Sequence, residues 1–180
     1  MAIAHGLLAY IETRDLRLMR RVHRWPAPRW VRIASLWATR LGDGWLWYFM
    51  APLILVIGGD QRYRALATAS FAALAGIVLF KCVKHACRRP RPCEQEPHCW
   101  ATILPPDQFS FPSGHTITAF AIAVSLGHLY PHAEPCLLLM AACIGVSRVL
   151  LGMHFLSDVI AGALFGAAVG YGSFHLFALL

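Results

Sequence analysis

Three short groups of polar residues interrupt a mostly apolar chain, and their residue types suit the binding and cleavage of a phosphate ester. Each group contains a side chain that can hold an anion, transfer a proton or attack phosphorus. In chain order the groups are Lys84 with Arg91-Pro92, then Pro112-Ser113-Gly114-His115, then Ser147-Arg148 with His154 and Asp158.

Five of these residues are candidates for holding the phosphate. In a site poor in water, fixed cations must replace the hydration that a phosphate dianion loses. The guanidinium groups of Arg91 and Arg148 can each bind two phosphate oxygens, and Lys84 adds a point charge. Ser113 and Gly114 stand at a predicted helix start, where a hydroxyl, backbone N–H groups and the positive helix end favour an anion.

Three other residues of these groups are candidates for the chemistry. His154 and Asp158 stand four residues apart and so share one helix face. A carboxylate on one ring nitrogen would fix the tautomer and leave the other nitrogen free to attack phosphorus. Asp158 would also stabilise the charge that develops on the ring. His115 is suited to protonating the leaving oxygen and then activating water.

Each group also has an ordinary structural explanation when it is taken alone. Lys84 and Arg91 could be snorkelling side chains at the end of a membrane span. Pro112-Ser113-Gly114 could be a simple helix cap. A His–Asp pair is common on helices, although both members are costly inside an apolar run. The presence of all three groups in order favours the functional interpretation.

The composition of the chain indicates the class of protein that holds these residues in place. The chain has 180 residues, of which 58% are hydrophobic and 14% charged, and its mean hydropathy is +0.55. A soluble domain would carry roughly 25% charged residues, so a membrane protein is predicted. The net charge of +7 does not indicate a nucleic-acid partner, because the arginines cluster at the margins of apolar runs.

The predicted fold class is all-α, an integral-membrane helical bundle with about five transmembrane helices and an N-terminal amphipathic surface helix. Backbone groups in lipid must bond within their own segment, so apolar runs are helices. Gly162, Gly166 and Gly170 would let helices approach closely. The predicted spans, against the ~20 residues that a crossing needs, are 45–58, 64–83, 116–130, 136–153 and 155–180.

Two domains follow from this pattern. Residues 1–41 are predicted to form amphipathic helices at the membrane surface, because leucines alternate there with arginines. Residues 42–180 are predicted to form the transmembrane domain that carries the phosphate chemistry. Since successive spans alternate in direction, the ends that carry the three polar groups should all lie on one face of the membrane.

A polar loop between the second and third spans allows two further interpretations. Five residues separate Cys87 from Cys93, five more separate Cys93 from Cys99, and His98 precedes the last. Paired zinc-binding cysteines usually have two to four residues between them, so no metal site is predicted. A disulfide between Cys93 and Cys99 would require an oxidising compartment.

The three groups resemble the type 2 phosphatidic acid phosphatase family, whose soluble relatives include vanadium haloperoxidases. That family is marked by K-x6-RP, PSGH and SR-x5-H-x3-D, and the likeness covers about residues 42–175. It implies a membrane helical bundle, a phosphohistidine intermediate, and no metal or other cofactor. It implies that His154 is the nucleophile, Asp158 its partner and His115 the general acid and base. The implied phosphate ligands are Lys84, Arg91, Ser113, Gly114 and Arg148.

The resemblance therefore predicts a phosphatase whose substrate is a lipid phosphate, with membrane lipids as its surroundings and no nucleic acid. Phosphatidic acid, phosphatidylglycerol phosphate, undecaprenyl pyrophosphate and a lipid A phosphate are all compatible substrates. A lipid phosphotransferase with the same intermediate is the nearest alternative. A haloperoxidase has no need of five apolar spans. A non-catalytic membrane protein that binds phosphate is the alternative from another class.

Two observations disagree about the side of the membrane on which the site lies. Apart from Arg62 and Arg64, every Lys and Arg falls on the active-site side under the five-span arrangement, which favours the cytoplasm. The resemblance favours a periplasmic or lumenal site, because many members of that family act there. Because the phosphate-site cations and the surface helix distort the count, we expect a bacterial inner-membrane protein with a periplasmic active site.

Overall fold

The computed structural model of the chain describes residues 2–95 and 108–179, and these residues form helices joined by short connections. No strand occurs within these two ranges, which confirms the all-α class. The helices are α1 Ala2–Arg24, α2 Arg29–Arg40, α3 Leu46–Ile57, α4 Arg62–Cys87, the short α5 Pro92–Gln95, α6 Gly114–Leu129, α7 Glu134–Leu150 and α8 Leu156–Ala178.

Helix α6 lies at the centre of the bundle and packs against α4, α7 and α8. The predicted close approach through glycines is present between α6 and α8. A Cβ added at Gly166 would lie 2.4 Å from the carbonyl oxygen of Ile117, and one at Gly170 would lie 2.4 Å from that of Ala121. Real Cβ atoms do not come so close to a carbonyl oxygen, so α8 can sit here only because these positions are glycine.

A kinked turn of residues Leu41–Trp45 joins α2 to α3. Gly44 has a φ of +116°, a backbone conformation that glycine adopts without the strain a side chain brings. Gly42 is buried, and a Cβ there would lie 2.8 Å from Ile144 Cγ2. The two glycines let the chain turn sharply against α7, and they place Asp43 between them.

The outer surface of the bundle is apolar. Tyr48 and Val56 on α3 are 75% and 79% exposed, and Leu164 on α8 is 67% exposed. Two helical segments among the described residues, Gly59–Cys87 and Leu156–Ala178, are long and apolar enough to cross a membrane. Helices α3, α6 and α7 are shorter than the ~20 residues of a full crossing, so the count of five spans is not confirmed and stays a prediction.

Helix α1 packs on the junction between α7 and α8. Its Met19 is 1% exposed and belongs to a small apolar cluster with Val149, Phe155 and Val159. Val149 lies in the last turn of α7, Phe155 immediately precedes α8, and Val159 lies near the start of α8. The α1 helix therefore covers the segment that carries His154, while its place at the membrane surface remains a prediction.

Candidate active site

A cavity of about 490 Å³ gathers residues from all three polar groups. It opens between α3, α4 and α6 and reaches the loop that joins α7 to α8. Six of the eight residues predicted for the site line this cavity: Lys84, Arg91, Gly114, His115, Arg148 and His154. Elements that are far apart in sequence thus meet around one space.

Ser113 and Asp158 lie behind the cavity and do not line it. Ser113 is fully buried, and its hydroxyl oxygen accepts a hydrogen bond from Thr116 Oγ at 2.9 Å. Its backbone N–H donates to the carbonyl oxygen of Asp158 at 3.2 Å. These contacts tie α6 to α8, and the contact of the Ser113 hydroxyl with phosphate stays a prediction.

His154 lies in the turn between α7 and α8 and is 1% exposed. Its Nδ1 lies 2.6 Å from the carbonyl oxygen of Ser110. Because a carbonyl oxygen only accepts, Nδ1 carries the hydrogen and Nε2 keeps its lone pair. Burial lowers the pKa of His154 from 6.5 to about 3. The imidazole is therefore neutral at pH 7, with Nε2 available as a nucleophile.

Asp158, the predicted partner of His154, lies beside the imidazole ring but makes its short hydrogen bond elsewhere. Asp158 Oδ2 lies 3.8 Å from His154 Nδ1, too far for a hydrogen bond. Oδ2 instead accepts the backbone N–H of Phe155 at 2.8 Å, since Asp158 occupies the first turn of α8 and caps its own helix. The Ser110 carbonyl fixes the tautomer, and Asp158 provides a neighbouring negative charge.

Arg89 holds the other oxygen of Asp158. Its Nη1 donates to Asp158 Oδ1 at 2.6 Å and to Ser157 Oγ at 2.7 Å, and its Nη2 donates to Asp15 Oδ2 at 2.8 Å. The guanidinium also stacks over the Phe155 ring, 4.3 Å from its centroid. Asp15 belongs to α1, so this cluster connects the N-terminal helix to the catalytic segment.

The loop segments around Arg89 and Ser110 support one another. The backbone N–H of Ser110 donates to the carbonyl oxygen of Arg89 at 2.8 Å, and its hydroxyl donates to that of Pro90 at 3.0 Å. Phe111-Pro112 is a cis peptide. These bonds place the Ser110 carbonyl against His154, and they seat Arg91 one residue beyond Pro90.

The three predicted cations are buried beside the cavity. Lys84, Arg91 and Arg148 are 5%, 1% and 2% exposed. Arg91 Nη1 donates to the carbonyl oxygen of Met153 at 2.7 Å and lies 3.3 Å from His154 Nε2. Arg148 Nη1 donates to Thr39 Oγ1 on α2 at 2.6 Å. A cavity with three buried cations beside a neutral imidazole favours an anion.

His115 stands in the first turn of α6, where its Nε2 lies 2.6 Å from Asp43 Oδ1. This hydrogen bond lowers the pKa of Asp43 below 3.8 against the opposing effect of burial, with smaller contributions from Arg148 and Arg40. Burial lowers the pKa of His115 below 6.5, and Arg148 and Arg91 add to this shift, whereas the Asp43 carboxylate opposes it by stabilising the protonated ring. Asp43 is not among the residues predicted for the site, because its contact with His115 joins positions 72 residues apart in the sequence.

Gly114 packs tightly against α4 beside His115. A Cβ at this position would lie 3.2 Å from three ring carbons of Phe80 on α4. Its absence lets the start of α6 approach α4 closely. The backbone of Gly114 consequently lines the cavity, as expected for a glycine that lets an anion approach the chain.

Part of the polar loop lies outside the described residues. His98 and Cys99 belong to that part, so the zinc interpretation and the Cys93–Cys99 disulfide stay predictions. Among the residues that the structure covers, no group of three or more His, Cys, Asp or Glu side chains is arranged to hold a metal ion.

Comparison with known proteins shows the family to which the chain belongs. A family model described as the PAP2 superfamily matches residues 64–179. Decaprenylphosphoryl-5-phosphoribose phosphatase of Mycobacterium tuberculosis is 32% identical over 127 residues, which cover 71% of this chain and 68% of that protein. Lipid A 1-phosphatase of Rhizobium johnstonii is 32% identical over 162 residues, covering 79% of this chain and 65% of that protein.

A solved structure agrees with these relatives. The crystal structure of Aquifex aeolicus LpxE superimposes with a TM-score of 0.77 at 28% identity, covering 89% of this chain and 94% of that one. The fold and the cavity define a membrane phosphoric ester hydrolase. The chain belongs to the PAP2 superfamily, as its three motifs predicted, and it spans about two thirds of the length of the two relatives named above.

Proposed function

We propose that the protein removes a phosphate group from a membrane lipid through a phosphohistidine intermediate on His154. The observation that carries this proposal is the composition of the cavity walls. Three buried cations and two histidines lie at one end. The wall beyond them is apolar, so the cavity suits a phosphate joined to a greasy chain.

The apolar wall comes from α3, α4 and α6. Trp47, Ala73, Ile77, Phe80 and Ile122 all line the cavity. Ala73 stands eleven residues before Lys84 on the continuous helix α4, which corresponds to ~16 Å along its axis. A substrate whose phosphate meets Lys84 would therefore have an apolar surface available for its chain over several helical turns.

In the first step we propose, His154 Nε2 attacks phosphorus and forms a P–N bond while the P–O bond to the lipid breaks. His115 gives its proton to the leaving oxygen, so the lipid departs as an alcohol or a phosphate. Lys84, Arg91 and Arg148 stabilise the charge on the equatorial oxygens. Asp158 stabilises the positive charge that forms on the His154 ring.

In the second step, water attacks the phosphohistidine. His115, now neutral, takes a proton from the water as the new P–O bond forms and the P–N bond breaks. Inorganic phosphate is released, and His154 returns to the neutral form that the Ser110 carbonyl favours. His115 is protonated again, which completes the cycle without a metal or other cofactor.

The proposed substrates remain phosphatidic acid, phosphatidylglycerol phosphate, undecaprenyl pyrophosphate and a lipid A phosphate. The relatives support a lipid phosphate as the substrate, but they do not select one among the four, since they are named for a decaprenyl-linked phosphoribose and for lipid A. We also propose the bacterial inner membrane and its periplasmic face as the location.

The test is phosphate release by protein purified in detergent, measured on those four lipids and on glycerol 3-phosphate. We expect hydrolysis of at least one lipid, and weaker hydrolysis of the water-soluble ester because it cannot use the apolar wall. Ile77→Asp should raise KM for the lipid more than for glycerol 3-phosphate. Leu164→Asn serves as the control, because Leu164 is exposed and lies away from the cavity. Equal activity on both substrate types would contradict a lipid substrate.

A further inference from the structure

We infer that Asp43 is a positioning residue for the reaction, which fixes the ring of His115 and stabilises its protonated form. This inference rests on the proposed function, in which His115 protonates the leaving oxygen. The contact that carries it is the 2.6 Å hydrogen bond between Asp43 Oδ1 and His115 Nε2, made across 72 residues of sequence. Both side chains line the cavity.

The backbone around Asp43 is shaped for this contact. A Cβ at Gly42 would lie 3.3 Å from His115 Cδ2, so the Gly42 backbone packs directly against the ring. Gly44 takes its positive φ on the other side. One turn earlier, Thr39 accepts the hydrogen bond from Arg148. The kink is thus fixed to α7 while it presents Asp43 to α6.

The charges around His115 explain why a carboxylate is needed. Lys84 on α4, Arg91 in the loop and Arg148 on α7 line the same cavity and oppose a second positive charge on the ring. His154 is neutral there. Asp158 on α8 lies outside the cavity and is held by Arg89. Of the described residues that line the cavity, Asp43 is the one that carries a carboxylate.

The hydrogen bond also gives the two ring nitrogens of His115 different roles. With Nε2–H donated to Asp43, Nδ1 remains to exchange protons with the reacting groups. Protonated His115 gives the Nδ1 proton to the leaving oxygen and becomes neutral, still bonded to Asp43. Nδ1 then takes a proton from the attacking water. The Asp43 carboxylate keeps its charge throughout, as an orienting partner.

Asp43→Asn tests the charge while keeping a side chain of the same shape. We expect kcat for a lipid phosphate to fall on the order of 10–100-fold, less than the roughly 10²–10⁴-fold of acid–base catalysis as a whole because His115 itself remains. KM should change little. The basic limb of the kcat profile should move to lower pH. With p-nitrophenyl phosphate, whose leaving group needs no proton, the loss should be much smaller. Asp43→Glu should recover part of the activity.

The control is Asp60→Asn, which removes a carboxylate from an exposed turn before α4, remote from the cavity. Equal losses on both substrates with an unmoved pH profile would overturn the inference, because they describe a structural defect. An Asp43→Asn protein as active as wild type would overturn it too. Should Asp43→Asn keep wild-type activity while His115→Ala is inactive in the same assay, the role of Asp43 is wrong and the proposed function stands. Should the wild-type protein hydrolyse no phosphate ester, the proposed function itself is wrong.

Discussion

Replacement of Arg89 by Met should cost both stability and turnover. Arg89 is the cation between two buried carboxylates, since Asp15 is 6% and Asp158 is 0% exposed. Breaking a buried ion pair by removing one partner typically costs about 3–5 kcal/mol, because a charge is left without compensation. For a chain of this length that lowers the unfolding midpoint by roughly 6–20 °C.

Turnover should fall as well, because Asp158 loses the group that orients it beside His154. A displacement of about 1 Å at a reacting group can cost on the order of 100-fold. The assay is a thermal unfolding curve in detergent together with phosphate release at saturating substrate. Activity is compared well below the unfolding midpoint of each variant, so that loss of folded protein does not enter the rate.

Two further variants make this prediction specific. Arg88→Met removes the same charge from the neighbouring exposed residue and should change neither measurement. Asp15→Asn combined with Arg89→Met removes one of the two carboxylates left without a cation. The double variant should therefore show a smaller decrease in the unfolding midpoint than Arg89→Met alone. An Arg89→Met protein with a midpoint within about 2 °C of wild type and full turnover would refute the reasoning.

Three other predictions follow from the packing and the charges. Gly166→Leu should lower the unfolding midpoint strongly, because a Cβ at this position would lie 2.4 Å from the carbonyl oxygen of Ile117. Gly172→Leu should be tolerated, because nothing lies within 4 Å of a Cβ there. Equal midpoints for the two variants would contradict the close approach of α8 to α6. Vanadate should inhibit competitively, because its five-coordinate form resembles phosphorus under attack, and EDTA should not; inhibition by EDTA that zinc reverses would contradict a metal-free reaction. The acidic limb of the wild-type rate profile should not reflect His154, whose pKa of about 3 keeps it neutral above about pH 4; a His154 NMR titration with a midpoint near 6.5 would contradict this assignment.

The helices and the clustering of the motifs could be predicted because they depend on local pattern. Apolar runs define the helices, and the alternation of successive helices brings the ends that carry Lys84, His115 and His154 to the same side. The glycine spacing at 162, 166 and 170 identifies the face of α8 that meets α6. Such features need only the order of residues and the geometry of a helix.

The partners of the catalytic residues could not be predicted in the same way. His154 meets the Ser110 carbonyl across 44 residues, and Arg89 meets Asp158 across 69. Asp15 lies 142 residues from Ser157. A backbone carbonyl has no sequence signal, and arginines at a span end look like topology determinants. The i, i+4 spacing predicts that Asp158 lies beside the His154 ring, but it does not show that Asp158 also caps α8.

The measurement that tests the central claim most directly is the isolation of the covalent intermediate. Wild-type protein is mixed with a lipid phosphate, quenched in alkali, digested and analysed by mass spectrometry, with His154→Gln as the control. The account predicts one added phosphoryl group on the peptide that contains His154, stable in alkali, lost in acid and absent from the control. Full lipid phosphate turnover by a folded His154→Gln protein, or a phosphoryl group on any other residue, would contradict it.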